Sequence, residues 1–155
     1  MMPPVALFLR PLRPLTVSIL LICAPMLAGA QTGPPRINEP RDAALAFVAA
    51  VAAQDAHAVA QLYLSDAVLL APGAPPTYGR DAIRALWAQN FAPGANAIAF
   101  RDISGRRGVD RAAIIWTWAL RIGPQGRVQT GRSLIFMDLT PAGWRITADL
   151  WQPAP

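Results

Sequence analysis

Asp149 sits between Thr147 and Trp151 in the stretch G-W-R-I-T-A-D-L-W-Q-P, residues 143–153. In a regular strand, alternation puts Trp144, Ile146, Ala148 and Leu150 on one face and Arg145, Thr147, Asp149 and Trp151 on the other. An ionised carboxylate in an apolar wall is costly unless it is paired or hydrogen-bonded. Desolvation raises its pKa, which is how a site obtains a general base or a protonated acid. Asp149 is therefore the first candidate for acid/base chemistry or for the polar anchor of a pocket. The competing role is a structural ion pair, since such pairs also perturb carboxylates. Arg80, Arg132 and Tyr63 are its candidate partners, and Tyr63 or Arg132 would stabilise developing negative charge if the site is catalytic. Trp87, Trp116, Trp118 and Trp151 offer flat apolar walls, although most tryptophans in a small domain are simply core.

Two other residues carry chemistry in principle. His57 is the only histidine, but it is one position off the apolar face of its helix and reads as a solvated side chain. Asp66 reads as a turn or helix-end residue, where aspartate serves local hydrogen bonding. No histidine or cysteine cluster has metal-ligand spacing, and no spare histidine completes a Ser-His-Asp set. A phosphate loop and G-x-G-x-x-G are absent. No metal or cofactor is expected on these grounds.

The elements that must position these residues follow from periodicity. Glu39-Pro40-Arg41-Asp42 opens a helix, with Ala44, Phe47, Val48 and Val51 on its apolar face up to about Gln54. Asp55 caps a second, short helix with Ala56, Val59, Leu62 and Tyr63 facing inward, and Ser65-Asp66 breaks it. Residues 67–71 form a short buried strand, followed by the loop Pro72-Gly73-Ala74-Pro75-Pro76. Gly79-Arg80-Asp81 opens a third helix to about Phe91, striped by Ile83, Leu86, Trp87 and Phe91. The period then changes from helical to alternating. Strands are predicted at residues 97–103, 112–122, 128–139 and 143–153, joined by short turns that favour antiparallel pairing. In the second of these, Ala112, Ile114, Trp116, Trp118, Leu120 and Ile122 share a face. Helices first and strands second is the α+β pattern.

Composition sets the outer limits. The 155 residues suit one domain, and a hydrophobic content of 54% calls for a packed core. Residues 1–14 carry Arg10 and Arg13 and no acid, residues 15–27 are an almost unbroken apolar run, and Ala28-Gly29-Ala30 is an A-x-A cleavage site. That is the layout of a secretory signal peptide. The run is shorter than the roughly 20 residues a spanning helix needs. Cys23, the only cysteine, follows Ile22 inside this run, which argues against lipidation, and its removal leaves a chain without disulfides. Loss of Arg10 and Arg13 also takes two charges off the formal +5. Arg101, Arg106, Arg107 and Arg111 cluster without interleaved aromatics or zinc-finger spacing, so a solvated turn is expected and no nucleic-acid partner.

Four phrases in order, Gln54-Asp55-Ala56 leading to Leu62-Tyr63, then Asp66-Ala67-Val68, Gly79-Arg80-Asp81-Ala82-Ile83, and Gly143-Trp144-Arg145-Ile146 running into Ala148-Asp149-Leu150-Trp151, carry a family resemblance. Over roughly residues 40–152 the chain resembles the SnoaL-like branch of the nuclear-transport-factor-2-like superfamily. It is most similar there to small bacterial proteins of unknown function, some of which bear the label SgcJ/EcaC family oxidoreductase. The resemblance implies a cone, a strongly curved antiparallel sheet on about three helices, of the cystatin-like α+β type. It also implies a pocket lined by the concave face and by the first and third helices. Members include isomerases, dehydratases, polyketide cyclases and non-catalytic binding or dimerisation modules, so fold alone does not decide function. Asp149 matches an aspartate seen at this point in family members. Histidine-aspartate enzymes of the family carry a strand histidine that this chain lacks.

The resulting expectation is a signal peptide at residues 1–30, a lead-in at 31–38 and one SnoaL-like domain at 39–153. Asp149 is the candidate catalytic group, and Tyr63, Arg80, Trp87, Trp116, Arg132 and Trp151 are candidate pocket residues. The partner would be a small apolar or aromatic ligand, with a second copy of the chain as a further partner and no membrane association after cleavage. Trp118 and Trp144 should lie on packed faces. Enzymes on small apolar compounds and dimerisation modules are the rival classes to a binding protein. The periplasm or the outside of the cell is the expected location. Intact-mass analysis of the native protein should find a chain beginning at Gln31; a species retaining Met1 or a lipid on Cys23 would refute the leader.

Overall fold

A computed structural model describes residues 35–154; the expected leader, its cleavage site and Cys23 lie outside them. Helix α1 (Asp42–Ala52) buries Ala43, Ala44, Phe47, Ala50 and Val51, and Asp42 sits in its first turn near the positive end of the dipole. It ends in a Schellman turn: Gln54 adopts φ 53°, its N–H bonds Val51 O at 3.0 Å, and Asp55 N–H bonds Ala50 O at 2.9 Å. Asp55 then caps α2 (Ala56–Gln61) by accepting from Ala58 N at 2.9 Å.

Tyr63 does not end α2, and Asp66 does not break it. The helix stops at Gln61, and Tyr63 is the first residue of β1 (Tyr63–Leu70). Ser65 and Asp66 lie exposed within that strand. There the pairing of β1 with its neighbour shifts register between Tyr63 and Val68, so the strand arches outward and two polar residues can sit in its middle. After β2 (Thr77–Tyr78), α3 (Arg80–Phe91) buries Ile83 and Trp87. Strands β3 (Ala95–Arg107), β4 (Arg111–Ile122), β5 (Arg127–Thr140) and β6 (Gly143–Pro153) follow.

One six-stranded, curved and unclosed sheet results, in the order β2-β1-β6-β5-β4-β3. The last four strands form the expected antiparallel meander. β1 departs from it, joining β6 in parallel, because a helix and four strands intervene before the chain returns to its side. The three helices cover the concave face, and the α+β cone inferred from the resemblance is the observed architecture. On β4, Ala112, Ile114, Trp116, Trp118 and Leu120 are buried as alternation requires; Trp144 is also fully buried.

The strand that carries Asp149 breaks the alternation. Phe136 of β5 faces Ala148, while the next residue, Met137, faces Ile146. Thr147 is therefore the extra residue of a β-bulge, which bends the strand and reverses the parity beyond it. Ile146 lies beside inward-facing Met137, Asp149 beside Ile135 and Trp151 beside Ser133, so these three β6 residues share the concave face. Ala148 and Leu150 do not continue the face of Trp144 and Ile146, and Leu150 is 46% exposed.

Gly131 lies directly across β4–β5 from Trp118. A Cβ there would run into the Trp118 indole and lie 2.6 Å from the Gln152 carbonyl oxygen. Only the missing side chain leaves room for that ring. Gly131→Ala is expected to destabilise the fold by about 1–3 kcal/mol through overpacking, read by urea denaturation. An unchanged urea midpoint would show that the indole has room to move.

Candidate functional site

The concave face and the helices enclose a cavity of about 340 Å³. Its walls are aromatic and come from every layer: Phe47 from α1, Trp87 from α3, Phe100 from β3, Trp116 and Trp118 from β4, and Trp151 from β6. Phe100 stacks on Trp116 at 4.6 Å, Phe47 meets Trp87 edge-on at 5.1 Å, and Trp118 meets Trp151 edge-on at 5.7 Å. Such interlocked pairs hold the walls in place before any ligand arrives. The polar lining is sparse. Asp149 and Ser133 are buried, while Asn90, Gln129 and the exposed Arg127 lie toward the rim.

Asp149 is 6% exposed. Its Oδ2 accepts a 2.8 Å hydrogen bond from the Tyr63 hydroxyl, and its buried Oδ1 has no hydrogen-bond partner among the described residues. Burial pushes its pKa up to about 6, while the hydroxyls of Tyr63 and Ser133 act in the opposite direction. Ser133 lies near enough to favour the charged form without completing a hydrogen bond to Oδ1. Its Oγ accepts instead from Trp118 Nε1 at 3.2 Å. Burial, then the Asp149 charge, raises the Tyr63 pKa well above 10, so this phenol stays a donor. Among the described residues the Trp87 indole N–H has no hydrogen-bond partner, but it lies toward the Tyr63 hydroxyl and offsets a little of that rise.

Of the residues singled out in the sequence, Asp149, Trp87, Trp116 and Trp151 line the cavity, and Tyr63 holds Asp149 from behind. Trp118, expected on a packed face, is both packed and a wall. Arg80 and Arg132 require correction. Arg80 grips the Tyr63 backbone carbonyl through Nε at 3.0 Å and Nη2 at 2.7 Å; it clamps the first turn of α3 to β1 and lines no part of the cavity. Arg132 is exposed on the outer face opposite Thr117 and Gln152, because its neighbour Ser133 takes the inward position. Neither arginine pairs with Asp149. The buried cation of β6, Arg145, precedes the bulge and turns away, donating to the Trp144 carbonyl at 2.8 Å and the Pro35 carbonyl at 3.1 Å. His57 is exposed beside Gln61, 3.2 Å away.

Ser133, Phe47, Asn90, Phe100, Arg127 and Gln129 are among the lining residues that sequence reasoning missed. Ser133 alone carried a signal, as a polar residue on the inward face of β5 between Gly131 and Ile135. Among the described residues no group of three or more His, Cys, Asp or Glu side chains could hold a metal ion, and no helix is long and apolar enough to cross a membrane.

A family model described as a SnoaL-like domain matches residues 44–148. No curated protein matches the chain. Among solved structures, an NTF2-like protein with a cystatin-like fold from Novosphingobium aromaticivorans is 21% identical, with a TM-score of 0.62 over 72% of this chain and 77% of its own. A protein from the same organism, named as a candidate aromatic ring hydroxylase, is 25% identical, with a TM-score of 0.65 over 74% of this chain and 86% of its own. A ketosteroid isomerase-like protein from Erwinia carotovora atroseptica is 22% identical, with a TM-score of 0.60 over 74% of this chain and 94% of its own. At these identities the likeness speaks for the fold.

Among the described residues no cation lies beside Asp149, and this has a thermodynamic consequence. Its folded pKa of about 6 lies above the ordinary 3.8, so between those values the folded chain keeps a proton that the unfolded chain has released. Stability from this group therefore rises as pH falls through 6 and levels off below the unfolded value; above pH 6 the uncompensated charge costs about 2–3 kcal/mol. Asp149→Asn keeps an acceptor for Tyr63 and removes the charge. Its stability advantage over wild type should be largest above pH 7 and shrink toward pH 4 in denaturant melts. A variant less stable than wild type at pH 7.5 would mean that the charge is compensated after all.

Proposed function

The chain belongs to the SnoaL-like domain family, and from that premise we propose that it is an exported small-molecule-binding protein whose cone takes up a small apolar or aromatic compound. The observation that carries this reading is Asp149 Oδ1, a buried acceptor in an aromatic cavity with no partner of its own. A buried polar atom left unsatisfied costs about 1–3 kcal/mol. A ligand that donates to it recovers that loss, while the indole walls supply area and the shape selects. Export rests on Arg10, Arg13, the apolar run at residues 15–27 and Ala28-Gly29-Ala30.

Catalysis is the second reading, favoured by the same oxygen. A carboxylate with pKa about 6 is mostly ionised yet basic at neutral pH, which suits a general base. Tyr63 would fix its orientation and remain protonated beside it. Isomerisation, cyclisation, dehydration or an SgcJ/EcaC-type oxidation would each place a ring compound against these walls. A neighbouring fold named for ring hydroxylation and another likened to a ketosteroid isomerase are in keeping with such a ligand.

A homodimer is part of the proposal. On the outer face Ile115 pairs with Leu134 and Leu134 with Leu150, and Ile115, Phe136 and Leu150 are 49%, 45% and 46% exposed. A contiguous exposed apolar patch of this kind suits a partner sheet. As a pure dimerisation module the chain would need this face and not the cavity. Titration with a panel of small aromatic compounds should shift the tryptophan emission, and Trp151→Ala should weaken the effect at least severalfold. Phe136→Arg should leave binding alone and lower the mass in light scattering. A panel with no binder, or binding untouched by Trp151→Ala, would sink the pocket reading.

A further inference from the structure

The identity of the missing partner of Asp149 can be narrowed, on the reading that the cavity is a ligand site. Among the described residues every nearby basic side chain is committed or turned away. Arg80 is bound to the Tyr63 carbonyl, Arg145 to two backbone carbonyls, and Arg132 stands on the other face of the sheet. Arg127 alone lines the same cavity, from an exposed position at its rim. It lies eight residues along β5 from the position opposite Asp149, a strand distance on the order of 25 Å before curvature. The carboxylate thus has a hydrogen bond but no counter-charge.

The surroundings of its free oxygen are specific. Ser133 stands between Trp116 of β4 and Trp151 of β6, and its Oγ holds the Trp118 indole. Trp87 closes the helix side, toward Tyr63. Four indoles therefore line the cavity onto which one unpaired carboxylate opens. Aromatic faces attract cations and gain nothing from anions, and the attraction strengthens where water is excluded. A neutral donor would satisfy Oδ1 and leave the charge unpaired. An anion would add a second buried negative charge. A cation meets both needs.

We propose that the cavity is built for an organic cation: a protonated amine on a compact apolar or aromatic body, donating one N–H to Asp149 Oδ1 and a second to Ser133 Oγ, with the indoles around it. The volume, at the lower end of ordinary ligand sites, fits a body of one or two rings. Charge and hydrogen bond act together, so amine recognition is a property of Asp149 and not of the walls alone.

The test uses the full chain and three probes of matched size: 2-phenylethylamine, 2-phenylethanol and 3-phenylpropionate, each titrated calorimetrically at pH 7.5. The amine should bind about tenfold or more tightly than the alcohol, from a charge-assisted bond and cation–π attraction, with the carboxylate weakest. Asp149→Asn, checked for an unchanged circular dichroism spectrum, should abolish the preference while keeping the alcohol. Trp151→Leu should weaken the amine more than the alcohol, because it removes a cation–π face as well as apolar area, and is a second route should the Asn variant fail to fold. An alcohol that equals or exceeds the amine, or a preference that survives Asp149→Asn, overturns the cation assignment and leaves the pocket reading standing. No binding by any probe overturns both.

Discussion

One extra residue in β6 decides which way the carboxylate points. Without the bulge at Thr147, strict alternation would leave Ile146 on the concave face and send Asp149 and Trp151 outward with Arg132. With it, Ile146 packs beside Met137 and, three residues on, Asp149 lies beside Ile135. The strand can then anchor the core at its start through Trp144 and Ile146, both fully buried, and furnish the cavity at its end. The same bend adds twist to the sheet, and a flat sheet would not wrap around three helices. A further irregularity, where Phe100 and Ile103 of β3 face Trp118 and Trp116, bends the β3 edge of the sheet by the same device.

Parity also separates the charges. Arg145 and Asp149 are four residues apart, and alternation alone would put them on one face, where they could pair. The bulge places them on opposite faces. Arg145 is satisfied by carbonyls and stays structural, while Asp149 is left with a single phenol. Burial then works on the two in opposite ways, lowering the pKa of Arg145 and raising that of Asp149. The fold tolerates an unpaired buried carboxylate because the surrounding aromatic core is large and interlocked. The destabilisation is local and a few kcal/mol at most, on the scale of one good core contact. A site whose polar atom is left unsatisfied in the resting protein is one that a ligand can stabilise.

Much of this was visible in the residues. The 3.6-residue stripe of α3, the Asp55 cap and the alternation of β4 each arise from local rules, and each element formed where those rules put it. The inward tryptophans of β4 followed with them. What stayed hidden was set by neighbours in space. A bulge at Thr147 has no local signature, since T-A-D alternates as well as any strand; only the register against Phe136 and Met137 reveals it. Tyr63 looked helical because Val59, Leu62 and Tyr63 share a helical face, yet its backbone is claimed by β6 at Ile146 and its carbonyl by Arg80. Charge makes Arg80 and Arg132 candidate partners of the carboxylate, but charge does not say which way a side chain faces. Arg80 found a backbone carbonyl instead, and Ser133 occupied the inward position that Arg132 would have needed.

Tyr63 links the helix layer to the buried carboxylate. Its carbonyl is the acceptor that α3 grips through Arg80, and its hydroxyl is the donor that holds Asp149. One residue thereby sets the distance between the helix layer and the end of β6. If Tyr63 rose, α3 and Trp87 would move with it, because the clamp is on its backbone. If the phenol were absent, both oxygens of Asp149 would be unsatisfied and the side chain could turn toward the rim. The geometry of the cavity and the ionisation of its anchor are therefore not independent. The interaction that keeps the wall in place also keeps one carboxylate oxygen occupied and the other free, and a cavity with a single free acceptor can orient a ligand in a way that a purely apolar one cannot.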